Sequence, residues 1–570
     1  MRRKTLLMLG VAAWAGGAAL LRPSYAEAAT ACTQPALSGL NVDGVAIVSA
    51  TPVSASGTTP AFCDVVGNLN TSGGNAPPGS ANFELRLPQE SWNQKFVFLG
   101  VGGLAGTISV LSANPVDTGS ALGRGYVTMV TDTGHQAGST DASWALIHPN
   151  VPAQAKVMDY LYRATHDATV AGKLLATRFY AQPLRYAYFD GCSNGGHQGL
   201  TEAADYPGDY DGIIAGAPFF DVRALLASVR FAQQQLSSPA AYLPASKLPM
   251  IDNAVVKSCD AVDGVSDGLI QNPAKCSFDP RTLLCHGDDA PDCLTAPQVE
   301  TLATYLTATR DATGGLVYPG WSVAALTGGA DAWSIGRRAP IDAAAPEPWG
   351  NAGFAPAPLG WQFADHFIKS IVARDPSYDI RSFPLTALGE VPPDALAVFD
   401  ARLGVAMRPG ATAGFNPAAA DYTPYLNGHG KILLYHGLAD PALSPFRTEQ
   451  LYAKLASISD GGYARLRQSA RLFMVPGMQH CGFGPGPNRF DTLTPLEQWV
   501  ERGVAPAFIA AEHHADNDPA KPVDRSMPLC PFPQQAEYRG SGDVTDGANW
   551  SCTNNARMLE LGLNGWAAGL

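Results

Sequence analysis

Gly191-Cys192-Ser193-Asn194-Gly195 follows the apolar run Tyr186-Ala187-Tyr188-Phe189 and precedes a helix-compatible segment, Gly196 to Ala204. The five residues fit G-x-S-x-G. Strand, sharp turn and helix are the context in which that pattern carries a nucleophilic serine. The flanking glycines fit it too, because side chains there would strike the strand or the helix. The plain alternative is an ordinary strand–helix turn in a chain with 59 glycines.

Similar apolar runs recur on both sides. Lys95 to Leu99 leads into Gly100-Val101-Gly102-Gly103, and Tyr126 to Val130 into Thr131-Asp132-Thr133-Gly134-His135. Gly212 to Ala215 leads into Gly216-Ala217-Pro218. Lys431 to Tyr435 leads into His436-Gly437-Leu438-Ala439-Asp440, and Arg471 to Val475 into Pro476-Gly477-Met478-Gln479-His480. Short continuous apolar runs predict strands buried on both faces of a mostly parallel sheet. Helical patterns lie between them, over 153–178 and 495–502. The alternation predicts an α/β fold, with functional groups beyond the carboxyl ends of the strands.

The strand rhythm stops near Phe219 and resumes near Lys431. The stretch between is rich in Pro, Gly and Trp and holds four cysteines. It reads as a lid inserted into the sheet domain, since the sheet needs strands from both sides of it. An independent linked domain is the alternative. The expected organisation is a signal peptide over 1–29, a catalytic domain over 30–220 and 426–570, and a lid over 221–425.

With 570 residues, 46% hydrophobic and 15% charged, the chain is globular and exceeds one simple core. The net charge of -12 argues against nucleic acid or an anionic membrane as partner. Arg2-Arg3-Lys4, the apolar stretch Leu6 to Leu21 and Ser24-Tyr25-Ala26 read as an export signal, with a membrane anchor as the alternative. Export predicts a secreted or periplasmic protein with no membrane partner after signal removal. The ten cysteines suit an oxidising compartment. Close spacing favours Cys259–Cys276, Cys285–Cys293 and Cys530–Cys552, and Cys32 with Cys63 would follow. Cys192 and Cys481 remain, as a bonded pair or as two unrelated thiols. No C-x-x-C supports zinc.

A serine hydroxyl needs a base, usually a histidine oriented by a carboxylate. Ser193, Asp440 and His480 stand in the chain order Ser, acid, His of α/β-hydrolases, each after a predicted strand. His480 as a loop histidine and Asp440-Pro441 as a turn initiator are the plain alternatives. His135, His197 and His436 are rival bases. The oxyanion donors expected for this fold are the backbone N–H of Asn194 and one from the glycine loop, assigned to Gly103.

Cys192-Ser193 followed by Gly195-Gly196, His436-Gly437-Leu438-Ala439-Asp440, and His480-Cys481 together resemble the tannase/feruloyl esterase family of α/β-hydrolases. The resemblance runs from about Cys32 to Cys552. It implies a disulfide between Cys192 and Cys481, the neighbours of the catalytic Ser and His. It implies a serine carboxylesterase acting on esters of aromatic acids, feruloyl or galloyl in type. A member that hydrolyses the terephthalate monoester of ethylene glycol gives the alternative substrate. The stretch Asp260 to Leu269 resembles the family's lid calcium loop, with Asp260, Asp263, Asp267 and the carbonyls of Val265 and Leu269 as ligands. Hard oxygen donors are what Ca²⁺ takes, and the ion would be structural. Solvated Asp-Gly turns are the plain reading of that loop. His197 departs from the family, where arginine is common. The lid aromatics Trp349, Trp361, Phe363 and Phe367 are candidates to stack on an aryl ring. A non-catalytic binding protein on a hydrolase scaffold and a peptidase are the remaining rivals.

Overall fold

A computed structural model describes residues 30–108, 121–335, 357–406 and 421–554. The expected signal segment and Trp349 lie outside the described residues. The centre is a nine-stranded sheet. Its strands are β1 (Val45–Val53), β2 (Phe62–Thr71), β3 (Gly79–Pro88), β4 (Lys95–Leu99), β5 (Val127–Thr131), β6 (Tyr186–Cys192), β7 (Gly212–Gly216), β8 (Lys431–Gly437) and β9 (Ala470–Val475). They lie in the order β1-β2-β3-β5-β4-β6-β7-β8-β9.

From β5 to β9 every neighbouring pair is parallel. All six runs expected as buried strands lie here, and β4, β5 and β7 are buried almost throughout. Parallel pairing requires crossovers, and helices supply them. Helix α1 (Ala164–Tyr180) precedes β6, and α2 (Asn194–Asp205) leaves it directly. Phe96, Phe98, Phe189, Ile213 and Leu434 are buried in the core under α1 and α2.

Strands β1, β2 and β3 pair antiparallel and were not among the expected buried runs. The reason is in their residues. Phe62-Cys63-Asp64-Val65-Val66-Gly67-Asn68-Leu69 alternates inward and outward positions, so no continuous apolar run marks it. A three-stranded sheet, Arg489–Phe490, Ile509–His514 and Val523–Leu529, was missed for the same cause.

The chain leaves the sheet after β7 and returns at β8, and these two strands pair directly from Lys431↔Gly212 to Tyr435↔Gly216. What lies between is inserted between these two neighbouring strands. It includes α3 (Ala224–Gln235) and α4 (Leu359–Phe367), which pack on each other through Leu225, Val229, Ala364 and Phe367. Asp221, buried beside Arg447, ties this segment to the sheet domain, while the pair Arg223–Asp400 at 2.7 Å lies within the segment. All ten cysteines are bonded, as Cys32–Cys63, Cys192–Cys481, Cys259–Cys276, Cys285–Cys293 and Cys530–Cys552.

Candidate active site

Ser193 sits between β6 and α2 with φ 62° and ψ -121°. That backbone conformation is rare for a residue with a side chain and marks a site held under strain. Its neighbours enforce it. The Ser193 N–H donates to the Gly216 carbonyl at 2.9 Å, and the Ser193 carbonyl accepts from Phe219 N–H at 3.0 Å. A Cβ on Gly191 would stand 2.6 Å from the Gly195 carbonyl carbon. A Cβ on Gly100 would stand 2.6 Å from the Gly195 Cα. Both glycines are therefore dictated by backbone pressed on backbone.

That close approach fixes the glycine loop after β4. Asn194 donates from Nδ2 to the Val101 carbonyl at 3.0 Å, and Gln198 Oε1 accepts the Val101 N–H at 2.9 Å. The Tyr160 hydroxyl donates to Asn194 Oδ1 at 3.1 Å. Gly103, with φ 62°, lies in this loop and lines the same cleft as Ser193 and Asn194. The Leu104 N–H is occupied by the Ser139 carbonyl at 2.6 Å. Asn194 opens α2, where a first-turn N–H has no carbonyl of its own helix to bond. The expected oxyanion role needs only the backbone of Asn194. Its side chain, with Gln198 and Tyr160, holds the opposing loop.

Asp440 follows β8 and His480 follows β9. His480 Nδ1 is 2.7 Å from Asp440 Oδ2. A second histidine reaches the same oxygen, with His436 Nε2 at 3.0 Å. Asp440 Oδ1 accepts the N–H groups of Ala442 at 2.8 Å and Leu443 at 2.9 Å. Burial pushes this carboxyl up, but the charge of His480 and the hydrogen bonds from His436 and His480 outweigh burial. They hold it well below the usual carboxylate range, so it stays ionised. His436 is buried, with Nδ1 2.8 Å from the Thr448 hydroxyl. It supports Asp440 and does not line the cleft with Ser193.

The other rivals are also accounted for. His135 stacks on Trp144, bonds the Leu104 carbonyl at 2.8 Å, and is pushed down to about 4 by burial. His197 lies fully buried in α2 and is pushed down to about 3 by burial.

Cys192 and Cys481 are bonded, with Cα atoms 6.0 Å apart across 289 residues. The residue before His480 is anchored as well. Gln479 Nε2 donates to the carbonyls of Ala325 at 3.1 Å and Thr327 at 2.9 Å, both in the inserted segment.

Ser193 and His480 open on one cleft. Leu225, Phe219, Trp333, Phe363 and Phe367 line it. Trp333 meets His480 edge-on, ring centroids 4.9 Å apart, and stacks on Phe363 at 5.9 Å. Phe363 and Phe367 were expected here. Trp361 instead packs against the core beside α3. Trp333 is one tryptophan among several in a Gly-rich stretch and carries no spacing signal.

The expected calcium loop forms two tight turns, with Gly264 at φ 96° and Gly268 at φ 84°. Asp260 Oδ1 accepts the N–H of Gly268 at 3.0 Å, and Asp263 Oδ1 that of Val265 at 3.0 Å. Asp267 Oδ1 accepts the Leu269 N–H at 3.1 Å, and Oδ2 is paired with Arg525 at 2.6 Å. Among the described residues, one trio of His, Cys, Asp or Glu side chains brings its ligand atoms within 4.8 Å of one another, and it is elsewhere: His166, Glu202 and Asp209.

The family model for tannase and feruloyl esterase matches residues 63–553. An uncharacterized esterase of Xanthomonas campestris pv. campestris is 34% identical over 577 residues, covering 94% of this chain and 93% of the relative. The mono(2-hydroxyethyl) terephthalate hydrolase of Piscinibacter sakaiensis is 32% identical over 545 residues, covering 88% and 87%. The crystal structure of feruloyl esterase B from Aspergillus oryzae superposes with TM-score 0.73 at 24% identity, covering 90% of this chain and 98% of that one, which gives the α/β-hydrolase fold. No helix among the described residues is long and apolar enough to cross a membrane. The match across nearly the whole folded length, joined to a strained serine and an Asp–His pair on one cleft, makes the chain a member of the tannase and feruloyl esterase family, and a carboxylic ester hydrolase.

Proposed function

We propose that this protein is an exported serine esterase cleaving esters of small aromatic acids, feruloyl or galloyl in type. One observation carries the reading. His480 Nδ1 lies 2.7 Å from the buried, ionised Asp440, on the cleft that Ser193 lines. With Nδ1 donating to Asp440, Nε2 is the free base. Ser193 Oγ attacks the ester carbonyl while His480 Nε2 takes its proton. The N–H groups of Asn194 and Gly103 hold the oxyanion, on a loop kept rigid by Asn194 and Gln198. His480 then protonates the leaving alcohol. Water, deprotonated by the same nitrogen, releases the acid and restores Ser193.

The inserted segment (221–425) acts as a lid, and its Trp333, Phe363 and Phe367 form a slot for an aryl ring. The five disulfides and the basic–apolar segment over 1–29 support export. The identity of 32% to the terephthalate monoester hydrolase favours that monoester as a second substrate reading. Methyl ferulate, methyl gallate and mono(2-hydroxyethyl) terephthalate, assayed side by side with a peptide anilide, test the proposal. The expected result is the highest kcat/KM on one of the aryl esters and no anilide cleavage. No turnover of any ester, with no labelling of Ser193 by a fluorophosphonate, sinks it.

We also propose that the loop Asp260 to Leu269 holds a structural Ca²⁺. Three carboxylates and turn carbonyls within ten residues, braced by Cys259–Cys276, supply hard oxygen donors. The ion would fix the loop against Arg525 and takes no part in the reaction. EGTA is expected to lower Tm by about 2 °C if the site is held at a hundredfold over its Kd. Asp263→Asn should remove that response. A Tm indifferent to EGTA, with no calcium in the purified protein, excludes the ion.

A further inference from the structure

On the face of α2 away from the cleft stands a second cluster. Glu202, in the last turns of α2, is 1% exposed. Neither of its carboxylate oxygens meets a hydrogen-bond donor, and the Asp209 carboxylate stands against it. It faces His166 of α1 and Asp209 of the loop before β7, the three ligand atoms lying within 4.8 Å of one another. His166 Nδ1 is 2.7 Å from Asp209 Oδ2, and its ring stacks on Tyr206 with centroids 3.6 Å apart. His166 and Asp209 are partly exposed, so the cluster opens to solvent.

An ionised carboxylate buried without a partner is costly. Lys173 relieves it only in part, and Asp209 and Asp205 add to it. Lys173 donates to the Asp209 carbonyl at 2.6 Å and approaches Asp209 Oδ1 at 3.5 Å, so it offsets that carboxylate. Asp205 adds a further negative charge near Glu202. Between Glu202 and Asp209 both groups are acceptors when ionised, and only a proton or a cation joins them.

We propose that His166, Glu202 and Asp209 form a site for a divalent transition-metal ion of the zinc type. One imidazole nitrogen and two carboxylates are a donor set such ions take, with a remaining position for water. Ligands about 2.1 Å from one tetrahedral ion stand roughly 3.3 Å apart, so side-chain rotation closes the present spread. The site joins α1, the tail of the nucleophile helix and the loop into β7. Its role is to clamp the far end of α2 while the oxyanion loop holds the near end.

The test uses the full chain after chelator treatment and dialysis. Zn²⁺ is titrated calorimetrically, bound metal is counted by elemental analysis, and Co²⁺ is added as a spectroscopic probe. The expected result is one Zn²⁺ per chain that displaces Co²⁺ absorption, with a Tm rise of about 2 °C at a hundredfold excess over Kd. His166→Ala, at a partly exposed position, should bind at least about tenfold more weakly and lose the Co²⁺ band, as should Glu202→Gln. Asp263→Asn in the calcium loop should change neither. Zn²⁺ uptake equal in wild type and His166→Ala overturns the proposal. So does the absence of uptake, which would leave a proton shared between Glu202 and Asp209.

Discussion

Ser193→Ala is expected to lower kcat on an aryl ester by roughly 10⁶-fold, and Asp440→Asn by roughly 10⁴-fold, with KM little changed. The serine variant loses the attacking atom, and only oxyanion binding and substrate positioning remain. The asparagine variant fails for a different reason. Asp440 accepts four hydrogen bonds: from Ala442 and Leu443 on one oxygen, and from His480 and His436 on the other. An asparagine oxygen would keep the two backbone donors. Its amide NH₂ would then face both imidazoles. His480 would have to accept at Nδ1 and carry its proton on Nε2, where it cannot take one from Ser193. Size and fold are preserved, so Tm should move far less than kcat. Rapid-quench or stopped-flow measurement of acyl-enzyme formation checks this directly. An Asp440→Asn enzyme within tenfold of wild type would remove Asp440 from the reaction.

The parallel half of the sheet was legible because its apolar runs are unbroken, and Ser193, Asp440 and His480 stood out because each follows such a run. Burial on both faces writes a strand as an unbroken run, and the functional side chain follows it. The antiparallel strands β1 to β3 alternate instead, and alternation of short polar residues such as Asn68 and Asn70 is hard to tell from loop. The support around Ser193 and His480 was illegible for another reason. Asn194, Gln198 and Tyr160 meet the Val101–Gly103 loop from positions far along the chain, so no spacing announces them. His436, a rival base by sequence, stands four residues before Asp440, and its bond to that carboxylate is a local contact. Glu202 looked like any helical glutamate. Its burial arises from where α1 and the β7 loop press on α2, which only the tertiary arrangement specifies.

Removing the Cys192–Cys481 bond by a double alanine variant is expected to cut kcat by roughly 10²-fold and to cost about 5 kcal/mol of stability. The two effects have separate origins. The bond closes a loop of 289 residues, and the chain-entropy cost of such a loop in the unfolded state gives the stability figure. The catalytic effect is geometric. β6 and β9 are three strand spacings apart in the sheet, about 14 Å. Their loops must lean over β7 and β8 for the serine and the imidazole to share one cleft. The disulfide joins the residue before Ser193 to the residue after His480, so it sets that lean from both sides. Cys481 itself takes φ 57°, a left-handed conformation that a non-glycine residue adopts only when held. Without the bond, His480 keeps Asp440, and Gln479 keeps the carbonyls of Ala325 and Thr327. The histidine therefore stays near, and the loss falls short of that in Ser193→Ala. Reducing agent is a poor test, because it opens all five bonds. The double alanine variant, assayed well below its own Tm, separates the roles. If kcat stays within twofold while Tm falls, the sulfur bridge serves the fold alone. If kcat falls while the rate of Ser193 labelling by a fluorophosphonate falls with it, the bridge sets the distance across which the proton moves.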